Sequence, residues 1–307
     1  MLRTKALSKS GMRMQKQWPF HLMLLPGVIF LLVYCYYPMV GLLIAFEDYN
    51  PRLGFFRSPW VGMENFEYLF TLPNFPQVLF NTFYIALMKI ILSIVVPIFI
   101  AILLDMMRRK YYKKTLQTIL YMPYFLSWVV LAGIIMDILS PSTGIVNRII
   151  TFFGGEPIFF LADPASFPYT IVITDIWKNA GYSTVIYLAA ITSIDQGIYE
   201  AALVDGANRA QQAWHITLKG ITPIIIVMGT LSLGSILNAG FDQVLNLYSP
   251  IVYKTGDILD TFVYRIGIVN SQYGIAAAAG LFKSVVSLAF ISGGYYLAKK
   301  LANYSPF

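Results

Sequence analysis

The chain has 307 residues, of which 57% are hydrophobic and only 12% are charged. A soluble domain normally carries about 25% charged residues, so much of this chain's surface faces something other than water. With one cysteine, Cys35, and two widely separated histidines, the composition excludes a disulfide framework and a cysteine or histidine metal cluster. We therefore expect no metal site in this chain. The net charge of +7 is compatible with a nucleic-acid partner until its distribution is considered.

Six apolar runs are each long enough to cross a bilayer core, which needs about 20 helical residues. In chain order they are Phe20–Phe46, Val78–Leu104, Leu116–Leu139, Tyr169–Ile194, Ile221–Phe241 and Ala276–Leu297. The first run follows a basic segment, as a signal peptide would. It is about twice as long as a signal core and no cleavage site follows it, so we interpret it as a retained helix. Buried helices of a soluble protein would account for one or two such runs, not for six.

The basic residues are unevenly distributed among the segments that connect these runs. Fourteen of the 22 lie in the segments 1–19, 105–115, 195–220 and 298–307. Five lie in the alternate segments 47–77, 140–168 and 242–275. Because lysine and arginine stay on the cytoplasmic side, both termini are predicted to be cytoplasmic. The positive charge is then a topology signal and a phospholipid contact, so we expect no nucleic-acid partner. We predict a basic N-terminus, 1–19, and one transmembrane domain, 20–307.

The predicted outer loops are rich in proline, glycine and aromatic residues, as in 51–60. We expect them to be ordered, and either to dock against a partner or to lie at the membrane interface. The stretch Ile145–Phe153 is apolar but too short to span the bilayer, so it favours an interfacial helix.

The inner segment 195–220 has the signals of two short helices joined by a glycine. Asp195 can cap the first helix, and Gly206 can end it. Asn208 and Gln211 resemble a capping box for the second. The two predicted helices are Gln196–Val204 and Arg209–Leu218. Small residues would let another protein approach closely, but helix physics alone is equally consistent with an amphipathic elbow lying on the membrane.

The motif Glu200-Ala-Ala-Leu-Val-Asp-Gly206, followed nine residues later by Ile216-Thr-Leu218, resembles the EAA loop of bacterial ABC importer permeases. That family has a proline next, where this chain has Lys219, so the end of the second helix is expected to differ. In the family, the loop is a coupling helix seated in a cleft of the ATP-binding subunit. The resemblance therefore implies a coupling loop, 195–220, with these coupling residues: Glu200, Ala201, Ala202, Asp205, Gly206, Ile216 and Leu218.

Motifs along most of the chain resemble the carbohydrate permeases that serve complex oligosaccharides, often in Gram-positive bacteria. They include Leu25-Pro-Gly27, Ala45-Phe-Glu-Asp-Tyr-Asn-Pro51, Trp177-Lys, Tyr187-Leu-Ala-Ala190 and Gly240-Phe-Asp-Gln243. The resemblance implies an all-α integral membrane protein with the type I ABC importer permease fold and six transmembrane helices. It implies these partners in the cell membrane: a second, homologous permease subunit, two copies of a cytoplasmic ABC ATPase, an extracellular sugar-binding lipoprotein, the oligosaccharide and membrane lipid.

The chain has no Gly-x-x-x-x-Gly-Lys-Ser/Thr phosphate loop, so it cannot hydrolyse ATP by itself. We expect no catalytic residue and no cofactor on this chain, and we assign ATP and Mg²⁺ to the partner ATPase.

Charged side chains inside a bilayer are costly, so each one predicts a functional site. Lys89 lies deepest within its run, whereas Lys283 is near enough to an end to reach the interface. Asp175 and Lys178 share a helix face with Asn179 and Tyr182. This face either lines a cavity or holds a charge pair that neutralises itself.

The fifth run has a second polar stripe, formed by Ser232, Ser235, Asn238, Asp242 and Asn246. The serines can instead bond to their own helix. Sugars require amide and carboxylate hydrogen bonds together with aromatic faces. The predicted substrate pathway therefore comprises Asn238, Asp242, Asn246, Lys178, Tyr182, Trp128 and Lys89.

Three alternatives to an oligosaccharide permease remain. An ABC importer for a non-sugar solute would carry the same coupling loop. A secondary transporter would show inverted repeats and would need no such loop. A membrane-embedded enzyme would need a nucleophile motif or paired carboxylates, which the chain lacks.

Overall fold

The computed structural model describes residues 9–107 and 109–302, with side chains over 18–107 and 109–296. The first eight residues of the predicted basic N-terminus and the five C-terminal residues lie outside the described residues, as does Arg108. Within the described ranges all regular secondary structure is helical, apart from an isolated β-bridge between Glu47 and Trp60. The predicted all-α class is confirmed.

The α-helices of the described part are numbered in chain order. They are α1 (Lys9–Leu31), α2 (Glu64–Thr71), α3 (Phe75–Asp105), α4 (Lys110–Tyr121), α5 (Trp128–Leu139), α6 (Ile145–Phe152), α7 (Phe167–Thr192), α8 (Gln196–Val204), α9 (Arg209–Gln212), α10 (Leu218–Gly220), α11 (Thr222–Leu233), α12 (Phe241–Leu247), α13 (Tyr253–Gly256), α14 (Leu259–Tyr264) and α15 (Tyr273–Ala302). After α1 the chain continues as a π-helical turn and a 3₁₀-helix to Phe46, and a π-helical turn joins α9 to α10.

Three helical stretches are long and apolar enough to cross a membrane, namely Trp18–Phe46, Phe75–Asp105 and Tyr273–Tyr296. The number rises to five if each of two bent helix pairs counts as one span. These pairs are Lys110–Phe125 with Trp128–Leu139 and Arg209–Gly220 with Thr222–Leu233. Helix α7 corresponds to the fourth predicted run and has 26 residues, but it does not meet the same criterion of apolarity. The count of six spans therefore stays a prediction.

The third predicted span, Leu116–Leu139, is not one helix, and that part of the prediction is wrong. The axes of the helical stretches Lys110–Phe125 and Trp128–Leu139 are bent by 109° relative to each other. Pro123 cannot donate a backbone hydrogen bond to a continuing helix. Ser127 then caps α5 by accepting a hydrogen bond from the Val130 N–H at 3.3 Å.

The fifth predicted span, Ile221–Phe241, is also wrong as a single helix. Helix α11 ends at Leu233, and α12 begins only at Phe241. Gly240, which immediately precedes α12, has a φ of +94°, a left-handed conformation that no helix interior contains. The predicted stripe from Ser232 to Asn246 is therefore divided between two helices and the irregular segment 234–240, and it does not form one helix face.

The interface between α3 and α7 is the largest in the fold, and the main apolar core lies beside it. This core contains Ile85 of α3, Leu131 of α5, Ile171 of α7 and Val244 of α12. Helix α4 approaches α7 so closely that a Cβ atom on Gly181 would lie 2.1 Å from the Leu120 carbonyl oxygen. Helix α7 is thus surrounded by α3, α4, α5 and α12.

Candidate functional site

The first half of the coupling loop folds as its sequence predicts. Asp195 caps α8 by accepting a hydrogen bond from the Gly197 N–H at 2.9 Å, and α8 has the predicted bounds. Gly206 has a φ of +81°, and the Ala207 N–H bonds back to the Ala202 carbonyl at 2.8 Å. A left-handed glycine with such a bond is a common helix stop. The chain therefore leaves α8 in a fixed direction.

The second half of the coupling loop begins with the predicted capping box. The Gln211 N–H donates to Asn208 Oδ1 at 2.9 Å, and the Asn208 N–H donates to Gln211 Oε1 at 2.8 Å. The helical run continues through a π-helical turn to Gly220, two residues beyond the predicted end at Leu218. Lys219 lies in the last turn, where a lysine interacts favourably with the helix dipole.

The predicted coupling residues lie at the surface of this loop. A cavity of about 340 Å³ opens between its two helices, and Ala202, Asp205, Gly206 and Ile216 line it. Glu200 and Ala201 are exposed on α8. Leu218 packs instead on the inner side, against an apolar cluster of Tyr187, Ile191 and Ile221. The loop thus presents one face outward and attaches to α7 and α11 by the other.

Sequence reasoning missed two contacts that hold the coupling loop in place. Arg209 Nη1 donates to the Met106 carbonyl at 3.0 Å, which joins the loop to the end of α3. The hydroxyls of Tyr199 and Thr217 lie 2.9 Å apart and join the two helices of the loop. No local pattern points to the first contact, because its acceptor is a backbone carbonyl 103 residues away.

Lys89 is buried, with 8% of its surface exposed, and all three of its N–H donors have partners. Its ammonium lies 3.3 Å from Asp175 Oδ1 and 2.7 Å from the Ala239 carbonyl oxygen, and it also donates to Gln243 Oε1. Ala239 belongs to the irregular segment between α11 and α12. Lys89 therefore ties α3 to α7 and to the break in the fifth predicted span, and we call these four residues the Lys89 cluster.

Two further features complete the Lys89 cluster. The fully buried Gln243 amide donates to the Ile171 carbonyl and to Thr174 Oγ1, both at 2.8 Å, so α12 is fixed to α7. A Cβ atom on Gly240 would lie 2.8 Å from Lys89 Nζ. Glycine is thus favoured at this position both by its left-handed backbone and by the close approach of the ammonium.

Lys178 has the same role at the other broken helix. Its ammonium donates to the carbonyls of Pro123 at 3.4 Å, Tyr124 at 2.9 Å and Leu126, which lie between α4 and α5. The predicted neutralisation of Asp175 by Lys178 is not the pairing seen, because the Asp175 carboxylate lies against Lys89. All three donors of Lys178 are directed at the bend of the chain.

Tyr182 and Trp128, two of the aromatic residues predicted in the substrate pathway, lie beside Lys178. Tyr182 stacks on Tyr124 with ring centroids 4.1 Å apart, and Lys178 Nζ lies 5.5 Å from the centre of the Trp128 ring. Tyr182 is 46% exposed, so one part of its surface is available to a ligand. The structure thus brings Lys178, Tyr182 and Trp128 together beside the bend between α4 and α5.

The remaining predicted pathway residues lie around the second break. Asn238 and Asp242 are exposed on either side of Gly240, and the structure records no hydrogen bond of either side chain within the described part of the chain. Asn246 is half-buried and donates to the Asp242 carbonyl at 2.7 Å, within its own helix. Asn238 and Asp242 are thus open to a ligand, whereas the Asn246 amide is partly occupied.

Lys283, the third lysine in a predicted span, lies inside α15 rather than near its end and forms an ion pair with Asp260 at 2.5 Å. Among the residues that the structure describes, no three His, Cys, Asp or Glu side chains are grouped as metal ligands.

The sequence matches known transport proteins over most of its length. Residues 93–303 match the family described as "Binding-protein-dependent transport system inner membrane component". Protein LplB of Bacillus subtilis (strain 168) is 41% identical over 296 residues, which cover 96% of this chain and 93% of LplB. The polygalacturonan/rhamnogalacturonan transport system permease protein YteP of the same organism is 42% identical over 280 residues, covering 91% and 87%.

A solved structure agrees with the fold. One chain of a bacterial alginate ABC transporter, in complex with an alginate pentasaccharide-bound periplasmic protein, superposes with a TM-score of 0.86 at 36% identity. The match covers 94% of this chain and 96% of the other.

The helical fold, the exposed helix–glycine–helix loop and these matches together identify the permease subunit of an ABC importer. The chain belongs to the family of binding-protein-dependent transport system inner membrane components.

The Lys89 cluster generates a prediction about stability. Replacing Lys89 by methionine leaves the largely buried Asp175 carboxylate and the Ala239 carbonyl without their cation. Removing one partner of a buried ion pair costs about 3–5 kcal/mol, so we expect Lys89→Met to lower thermal stability and the yield of folded protein sharply. Thermal unfolding of the purified protein in detergent measures this.

Lys283→Met is the matched control, because its pair with Asp260 is about one quarter exposed on each side. Removing one partner of a less buried pair costs less, so the control should be less destabilised than Lys89→Met. Equal stability of the two variants would contradict the central role of Lys89.

Proposed function

We propose that this chain translocates oligosaccharides across a cell membrane by alternating access, with ATP and Mg²⁺ bound and ATP hydrolysed by a separate subunit. The observation that carries the proposal is the coupling loop, with its outward cavity and its inner attachment to α7 and α11. The named substrates of YteP, and the alginate pentasaccharide in the solved complex, support an oligosaccharide as cargo. Acidic oligosaccharides are accordingly the first substrates to test.

The proposed complex contains a second, homologous permease subunit, two copies of a cytoplasmic ABC ATPase and an extracellular sugar-binding lipoprotein. The periplasmic protein bound to the related alginate transporter supports a delivery protein. The two Bacillus relatives support the cell membrane of a Gram-positive bacterium. The helices of this chain would form half of the translocation path, so they require a second permease.

We infer six spans with both termini in the cytoplasm. The bent pair Lys110–Phe125 and Trp128–Leu139 would form the third span, α7 the fourth, and α11 with the segment that follows it the fifth. Helix α7 is less apolar than the others because it carries Asp175 and Lys178. Each has its own partner inside the protein: Lys89 for Asp175 and backbone carbonyls for Lys178. Its polarity is therefore compatible with a position among other helices.

Cysteine labelling tests this topology. Cysteines at Arg57, Ser142 and Thr255 should react with a membrane-impermeant maleimide in intact cells, and a cysteine at Lys110 should react only after lysis. The uneven distribution of basic residues motivates the prediction. Each variant is made on a Cys35→Ser background, because Cys35 is exposed. Labelling at Lys110 in intact cells would overturn the six-span assignment.

We propose that the substrate pathway passes the two breaks. Asp175 and Lys178 lie three residues apart on α7, so both breaks contact the same turn of one helix. Irregular backbone at membrane depth is tolerated where it is buried in protein or lines a water-filled cavity. The exposed side chains of Asn238, Asp242 and Tyr182 supply hydrogen bonds and an aromatic face for a sugar. In this proposal, Lys89 and Lys178 position those groups.

An uptake assay tests the pathway. We expect Asn238→Ala and Asp242→Ala to reduce uptake of galacturonate oligosaccharides about 10-fold or more per lost charge-assisted hydrogen bond, for which about 1.5–3 kcal/mol is typical. Asn246→Ala is the control with a smaller expected effect, because its amide already bonds within α12. Assembly is checked by co-purification of the partner subunits. Wild-type uptake by both test variants would place the pathway elsewhere.

Coupling requires the loop to be rigid and to admit the ATPase closely. The caps at Asp195 and Asn208 supply rigidity, and nothing lies within 4 Å of a Cβ atom built on Gly206. A side chain at Gly206 would therefore project toward the docked ATPase. Glu200 is exposed and offers a carboxylate to a basic group of that subunit.

ATPase measurements on the purified complex test this role. Gly206→Leu adds a side chain at the docking surface and forces it into a left-handed conformation, at a cost of about 1–2 kcal/mol. We expect Gly206→Leu and Glu200→Ala to retain membrane insertion but to lose substrate-stimulated ATP hydrolysis or to lose the ATPase itself.

Gln196→Ala, an exposed change at the start of the same helix, is the control and should retain coupling. Wild-type activity in both test variants would mean that the segment is an elbow on the membrane surface.

A further inference from the structure

Helix α6 is fixed to the end of α5 by one asparagine. Asn147 is 2% exposed, and its Nδ2 donates to the carbonyls of Leu139 at 3.1 Å, Ser140 at 3.2 Å and Ile158 at 3.1 Å. Its Oδ1 accepts from the Ile158 N–H at 2.8 Å. One side chain thus joins the segments before and after α6 to the helix itself, and it sets the rotation of α6 about its axis.

The opposite face of α6 is apolar and uncovered. Ile145, Ile149, Phe152 and Phe153 follow at helical spacing and share one side of the helix, away from Asn147. The two phenylalanines are 84% and 82% exposed, which is nearly the full surface of each side chain. The two rings pack edge to face against each other, with centroids 5.4 Å apart. We call these four residues the α6 stripe.

The surroundings of the α6 stripe indicate what covers it. Arg148 is exposed at the edge of the stripe, where a long basic side chain can reach phosphate groups while its stem stays on apolar surface. The exposed Met136 of α5 and Phe159 line a common cavity of about 90 Å³, so apolar surface continues from α5 to the segment that Asn147 attaches to α6. The stripe itself offers no hydrogen-bonding side chain to orient a protein partner.

We propose that α6 is an interfacial anchor, lying in the lipid headgroup region with the α6 stripe in the acyl chains and Arg148 at the lipid phosphates. Amphipathic helices of this kind bury their apolar face about 5–10 Å into the boundary of headgroups and acyl chains. Since Asn147 fixes the rotation of α6, lipid contact with the stripe holds the end of α5 at a set depth. The inference is independent of which solute the protein transports.

Spin labelling of the complex in lipid vesicles tests the proposal. On a Cys35→Ser background, single cysteines replace Phe152 within the stripe and Thr151, which is exposed on another side of α6. Each cysteine carries a nitroxide, and its collisions with oxygen, which concentrates in lipid, and with a water-soluble nickel chelate are compared. We expect Phe152→Cys to collide preferentially with oxygen and Thr151→Cys with the chelate.

Two outcomes would overturn the proposal. Access of the chelate to Phe152→Cys equal to that at Thr151→Cys would place the stripe in water. Shielding of Phe152→Cys from both reagents would mean that a protein surface covers it. If either variant fails to assemble, the pair Ile149→Cys and Arg148→Cys gives the same comparison, with a deeper label expected at Ile149.

Discussion

A bilayer core offers no water to a free carbonyl group, and this constraint explains the two buried lysines of this permease. Each break in a helix leaves carbonyls without their usual N–H donors. Lys89 donates to the Ala239 carbonyl at one break, and Lys178 donates to the carbonyls of Pro123, Tyr124 and Leu126 at the other. An ammonium has three donors and no acceptor, so one lysine can satisfy several carbonyls that converge on it. The Asp175 carboxylate balances the positive charge of Lys89. The ammonium of Lys178 instead lies near the aromatic rings of Tyr124 and Trp128.

The same constraint changes the interpretation of charged residues in the spans. A lysine in an apolar run predicts a functional site, yet here every donor of Lys89 and Lys178 is directed at the protein. In the proposed pathway their contribution is indirect: they fix irregular backbone beside α7, where Asn238, Asp242 and Tyr182 keep exposed surface. A substitution of either lysine would thus act first on folding, and a loss of uptake in such a variant would not identify a sugar ligand.

Local signals predicted local structure well. The cap of α8, the stop at Gly206 and the capping box of Asn208 and Gln211 all depend on residues within five positions of one another. The breaks at Pro123 and Gly240 were missed, because hydropathy continues across them and transmembrane helices often contain proline and glycine. The partners that stabilise the breaks are distant, with Ala239 150 residues from Lys89. Only the folded chain shows which carbonyls a buried lysine reaches.

Helix α7 connects the coupling loop to both breaks. At its end near the loop, Tyr187 and Ile191 pack in one cluster with Ile221, against which Leu218 of the loop lies. Two turns earlier, Gly181 lets the Leu120 carbonyl approach the helix backbone, and Lys178 and Asp175 follow within the next two turns. Protein interiors are close-packed and transmit strain. The coupling loop is therefore linked to the helix that carries both lysine-stabilised breaks by side chains already in contact, and this link does not pass through α1 or α15.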